Sequence, residues 1–182
     1  RNDLPELAVE TDLAESIRRY GPRGSAPFAF APIKHWQAWN EPNIRQFWGP
    51  KPNAAAYARM MQAVKTTLAP VRGDVQIVHA GLSKVDIEFM WELWEAEPRH
   101  GDTFDILAVH PYLFDGKDDI REPEAMDRDD SKAAPMGFIG SVKDNGYLAK
   151  IFTMQLFMTL RGARGKPIWV TEMGYFVAKH RL

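Results

Sequence analysis

The chain has 182 residues, 23 Lys and Arg against 24 Asp and Glu, a formal net charge of −1 and no Cys. That length suits one domain, and 45% hydrophobic residues are ample for a buried core. Balanced charge leaves no basic stripe for nucleic acid, no run reaches the roughly 18 apolar residues of a membrane span, and without Cys there is no disulfide, thiol nucleophile or thiolate metal site.

The elements follow in chain order. Asp12 to Tyr20 spaces Leu13, Ile17 and Tyr20 at helical intervals, with Thr11 or Asp12 as cap and Gly21-Pro22 as stop. Residues 21–32, rich in Gly, Pro and Ala, read as a loop. Residues 33–39 alternate as a strand, and Asn53 caps a helix over 54–68 that Pro70 ends. Residues 75–82 are a second strand, and Val85 to Glu97 is a helix closed by Pro98. Residues 104–110 are apolar at nearly every position, as expected of a strand buried on both faces. Tyr147 to Leu160 is an apolar helix, followed by a fourth strand over 167–172. Between them, residues 113–145 carry eight acidic side chains up to Asp130 and no clear period, which marks a functional loop or insertion. The rhythm argues for an α/β fold of about four parallel strands with crossover helices. Four strands make a doubly wound sheet but only part of an eight-stranded barrel, which needs about 200 residues or more. With Arg1 as first residue, the sequence reads as a piece.

Two carboxylates stand where a parallel strand leaves the sheet, the position at which α/β folds place their ligands. Glu41 lies in Trp39-Asn40-Glu41-Pro42-Asn43 after the first strand, and Glu172 in Trp169-Val170-Thr171-Glu172-Met173-Gly174 after the fourth. From the residues alone, they are either a general acid and a nucleophile or two surface carboxylates. The 12% aromatic content admits two readings, an unusually aromatic core or rings lining a surface for something flat and polar. His35, His79 and His100 each lack a second ligand at metal spacing, the acidic run at 115–130 lacks a calcium-loop pattern, and no phosphate-cradling Gly loop occurs.

Trp-Gln-Ala-Trp-Asn-Glu-Pro-Asn (36–43) resembles the acid/base motif of the clan A retaining glycoside hydrolases, which share a (β/α)₈ TIM barrel. Pro-Ile-Trp-Val-Thr-Glu-Met-Gly-Tyr (167–175) is similar to their nucleophile strand, and His110-Pro111-Tyr112 to the His-x-Tyr element after their sixth strand. The motifs fall in family order, and the nearest flavours are the family 39-like and family 5-like cellulase and xylosidase groups. The likeness implies an incomplete barrel holding strands four to seven, with 131 residues, or three βα units, between Glu41 and Glu172. It implies Glu41 as general acid and base and Glu172 as nucleophile in a double displacement on a β-linked glycan, with no cofactor and no metal. It further implies that Asn40 donates to the sugar 2-hydroxyl, that Tyr112 hydrogen-bonds Glu172 and that His110 lines the pocket. Asn43 is a ligand or a turn former, and Trp48 and Trp169 stack on sugar or belong to the core. An isolated set of four strands leaves two open edges, so the expectation is that this segment alone is inactive and is covered by a longer chain or a second copy. The rival expectations are a barrel-derived carbohydrate-binding protein without catalysis and an α/β domain unrelated to sugars. The compartment is open, secreted or extracellular being slightly favoured, with no signal peptide in this segment.

Overall fold

Asn53 and Asp86 show how local chemistry sets the helices. The Asn53 side chain accepts the Ala56 N–H at 2.9 Å and starts α2 (Ala54–Thr67), and Asp86 accepts the Phe89 N–H at 2.8 Å and starts α3 (Ile87–Ala96). Pro98 forces Glu97 into an extended conformation, which ends α3. The computed structural model describes residues 6–25, 31–71, 73–111 and 147–173. The long acidic segment expected at 113–145 lies outside them. The remaining helices are α1 (Glu6–Tyr20) and α4 (Tyr147–Leu160), and the strands are β1 (His35–Ala38), β2 (Gln76–His79), β3 (Leu82–Ser83), β4 (Leu107–His110) and β5 (Ile168–Val170). Among the described residues no helix is long and apolar enough to cross a membrane.

Two expectations need correction. Helix α1 begins at Glu6, so Thr11 and Asp12 are interior positions rather than caps. Residues 6–10, Glu-Leu-Ala-Val-Glu, include strong helix formers that extend the helix past those polar residues. The strand expected over 75–82 is broken at Ala80-Gly81, so that β2 pairs with β1 and β3 with β4.

Every pairing among the described residues is parallel. His35 to Ala38 run beside Gln76 to His79, Leu82 and Ser83 beside Val109 and His110, and Leu107 to Val109 beside Ile168 to Val170. A Val78–Ile106 bridge joins the two-stranded and three-stranded sheets. All four residues of β4 are buried, as its apolar run requires. Ile77, Leu107 and Val109 belong to the main core with Tyr57, Met61, Phe89, Trp94 and Phe157 from the helices, whereas Val78, Ile106 and Ala108 form a separate small cluster. Rings of His35 on β1 and Trp169 on β5 meet at 4.9 Å, so the first and last strands touch and the row of strands curves strongly. The Tyr57 hydroxyl accepts the Ala80 N–H at 2.9 Å and donates to the Ala38 carbonyl at 3.3 Å, tying together the ends of β1 and β2.

His79 and His100, isolated in sequence, are partners in the core, where both are fully buried. His79 Nδ1 donates to the Ala80 carbonyl at 2.8 Å, so its Nε2 accepts from His100 Nε2 at 3.1 Å. His100 Nδ1 is then a buried acceptor with no hydrogen-bond partner among the described residues. Burial lowers His79 from its ordinary 6.5 to about 4, and burial followed by the His79 charge holds His100 well below its ordinary value. The unfolded chain therefore binds protons first as pH falls. The stabilisation is complete above about pH 6.5 and is lost between there and about pH 4, by about 3 kcal/mol for His79 alone. Urea midpoints between pH 7 and 4 should drop, and those of a His79→Gln, His100→Gln variant should drop less.

Candidate active site

The C-terminal ends of β1, β4 and β5 converge on one imidazole. His110, the last residue of β4, is fully buried. Its Nδ1 lies 2.8 Å from Glu41 Oε1, its Nε2 lies 3.0 Å from Thr171 Oγ1, and Glu172 Oε1 is 3.7 Å from that same Nε2. The structure thus brings Glu41, His110 and Glu172 together, with one ligand-type atom of each within 4.8 Å of the others. The two carboxylates are in unequal settings. Glu41 is buried, at 6% exposure, whereas the Glu172 side chain is 45% exposed and open to an incoming molecule.

The chain reaches this arrangement through unusual backbone. Trp39 and Glu41 have φ of 84° and 40°, in the left-handed region that side-chain-bearing residues seldom occupy. The Glu41 N–H donates to the Gly81 carbonyl at 3.0 Å, which anchors the strained loop to the break between β2 and β3. Gly81 is required there for space. A Cβ on it would stand 2.0 Å from His110 Nε2, so any side chain would displace the imidazole from between the carboxylates.

His110 is hydrogen-bonded through both nitrogens. When Glu41 is ionised, Nδ1–H donates to it and Nε2 accepts from the Thr171 hydroxyl; when Glu41 is protonated, both directions reverse. A hydroxyl serves either state because it both donates and accepts. Three such groups are also of the type that ligates metals. The arrangement sets two carboxylates on either side of one imidazole ring.

The other expected residues fall as follows. Asn40 is half-buried beside Glu41. Asn43 is buried, and its amide is engaged by Ser83 and Asp86 rather than facing the opening. Trp48 is buried with its ring edge-to-face against both Trp39 and Tyr57, which makes it a core residue rather than a stacking surface. Trp169 is 38% exposed on the strand that carries Glu172. Tyr112 lies outside the described residues. Thr171 and Gly81 had no role assigned from sequence. Gly inside a strand pattern is a signal of close backbone approach, and that is its function here.

No family model and no curated protein matches the chain. Solved structures do. A GH39 β-xylosidase from Caulobacter crescentus superposes with a TM-score of 0.55 at 13% identity, over 94% of this chain and 30% of its own. A monomeric β-xylosidase from Caulobacter crescentus CB15 gives 0.54 at 15%, over 94% and 31%, and the GH39 enzyme from Xanthomonas axonopodis pv. citri gives 0.53 at 16%, over 94% and 30%. The chain has the fold of one stretch of a glycoside hydrolase. It spans about 30% of the length of the structures it matches.

Proposed function

We propose that this chain is the catalytic stretch of a retaining glycoside hydrolase that acts on a β-linked glycan, with its strands serving as the fourth to seventh of a (β/α)₈ barrel. The observation that carries the reading is the pair of carboxylates, Glu41 and Glu172, with oxygens within 4.8 Å of each other across His110. Retaining enzymes place the two carboxyl groups about 5–5.5 Å apart, whereas inverting enzymes leave about 6.5–9.5 Å for a water molecule. The fold likeness to GH39 enzymes supports the same assignment.

In this reaction the open Glu172 carboxylate attacks the anomeric carbon as the glycosidic C–O bond breaks, and buried Glu41 gives its proton to the departing oxygen. A glycosyl ester on Glu172 and a free aglycone result. Glu41, now ionised, takes a proton from water as the water oxygen attacks the anomeric carbon, releasing sugar and restoring Glu172. Asn40 donates to the 2-hydroxyl, and Trp169, 38% exposed, offers a ring for a pyranose. No cofactor enters the scheme. The curvature that brings Trp169 against His35 supports the partial barrel. So do the exposed apolar residues Phe152, Leu156 and Leu160 along α4 and Val170 on β5, which further strands and helices would cover. Activity accordingly belongs to a completed barrel, whether the remainder comes from a longer chain or a second copy.

The test is the configuration of the first product, followed by NMR on a β-glycoside. The β-anomer should appear first. An α-anomer would overturn the retaining reading, and stable oligosaccharide binding without product would mark a carbohydrate-binding protein instead.

A further inference from the structure

Two strained stretches face each other beside Glu41. Trp39 and Glu41 are one; Lys84 and Val85, with φ of 62° and 53°, are the other, and Val85 is both β-branched and buried. Backbone of this kind costs about 1–3 kcal/mol per residue and persists only where the surroundings hold it. Asn43 bridges the two. Its Nδ2 donates to the Ser83 carbonyl at 3.0 Å and to Asp86 Oδ2 at 3.1 Å, and its Oδ1 accepts the Ser83 N–H at 3.0 Å. Ser83 offers one donor and one acceptor, and Asp86 Oδ2 accepts, so the complementary side chain must supply two N–H groups and one oxygen. An amide of this length does so; Asp, Ser or Leu does not.

The bridge runs on into rigid structure. The second Asp86 oxygen caps α3 at Phe89, Ser83 lies in register with His110, and the Lys84 N–H donates to the His110 carbonyl at 2.9 Å. The loop carrying Glu41 is therefore held to the same frame that carries the imidazole.

We propose that Asn43 is a positioning residue: its buried amide holds the strained Glu41 backbone in register with His110 and so sets the reach of the proton donor. The kinetic consequence rests on the reading of Glu41 as the acid. The mechanical part does not, and the experiment separates them. Two variants are made in the active protein, Asn43→Ala and Asp86→Asn. The second keeps an oxygen for the Phe89 cap but turns an N–H₂ group against that of Asn43, and it serves if the first fails to fold.

Amide exchange at Glu41 and Ser83 should rise about tenfold or more, the equivalent of one hydrogen bond's stabilisation, while Leu107 and α2 keep their protection. In kinetics, kcat/KM for substrates with poor leaving groups should fall about tenfold to a hundredfold, the effect of a small misplacement of a reacting group. For aryl glycosides with good leaving groups kcat/KM should be nearly unaffected. Unchanged exchange at Glu41 in a folded variant overturns the proposal. So does faster exchange throughout the core, or an equal rate loss on both substrate classes, because either is the mark of a merely structural residue. If the parent protein turns over no glycoside, the catalytic reading fails while the exchange result still decides the clamp.

Discussion

Replacing Glu172 by Gln or Ala lowers kcat on aryl β-glycosides by roughly 10⁴-fold or more, the scale of losses when a covalent nucleophile is removed. The expectation comes from where the residue sits. Glu172 is two residues beyond β5, its side chain is 45% exposed, and its Oε1 lies 3.7 Å from an imidazole nitrogen at the base of the site. Gln keeps the shape but cannot form the ester at a useful rate. Ala leaves room for a small anion, so azide restores turnover of an activated substrate and yields a glycosyl azide of inverted configuration. Kinetics with and without azide, with NMR of the azide product, checks both parts. Substantial residual activity in either variant removes Glu172 from the nucleophile role.

Glu41→Ala produces a different signature. General acid assistance contributes about 10²–10⁴-fold, and it matters in proportion to the basicity of the leaving oxygen. The loss in kcat/KM is therefore near that range for an alkyl or sugar leaving group and small for a good leaving group such as dinitrophenolate. In the proposed mechanism Glu41 also activates water in the second step, so the variant is expected to accumulate the glycosyl ester and to show a burst of aglycone with good leaving groups. A leaving-group series and pre-steady-state traces measure this. Equal losses across the series would contradict the assignment. The burial of Glu41 and its bond to His110 Nδ1 are the structural basis: the group is held in one place and shielded from bulk water.

Much of this was legible in the residues. The alternation of strand and helix, the cap at Asn53, and the two carboxylates just past parallel strands are all local patterns, and each stands where it was expected. The break at Ala80-Gly81 was not legible. The stretch from Val75 to Leu82 reads as one strand apart from Gly81, which signals close backbone approach but not a change of partner; the break follows from pairing first with β1 and then with β4, which is a tertiary choice. The His79–His100 pair was hidden for a related reason: its members are 21 residues apart and meet only when α3 packs on the sheet. Trp48 and Trp169 illustrate the limit for aromatics. The ring in the loop is buried between Trp39 and Tyr57, and the ring inside the strand is the exposed one. Neither outcome is encoded near those residues, since both depend on which partners cover them. Asn43 looked like a turn former because it follows Pro42, yet its amide is matched to groups 40 and 43 residues further on.

The most direct measurement of the central claim is intact-mass spectrometry of the active protein after incubation with 2-deoxy-2-fluoro β-glycosyl inactivators, followed by peptide mapping. A fluorine at C2 destabilises the oxocarbenium-like transition states of both steps, and a good leaving group keeps the first step fast enough for the ester on the nucleophile to accumulate and be weighed. One added fluoroglycosyl group, located on Glu172, is the predicted result. A label on any other carboxylate, or no label in a protein that turns over the matching glycoside, would contradict it.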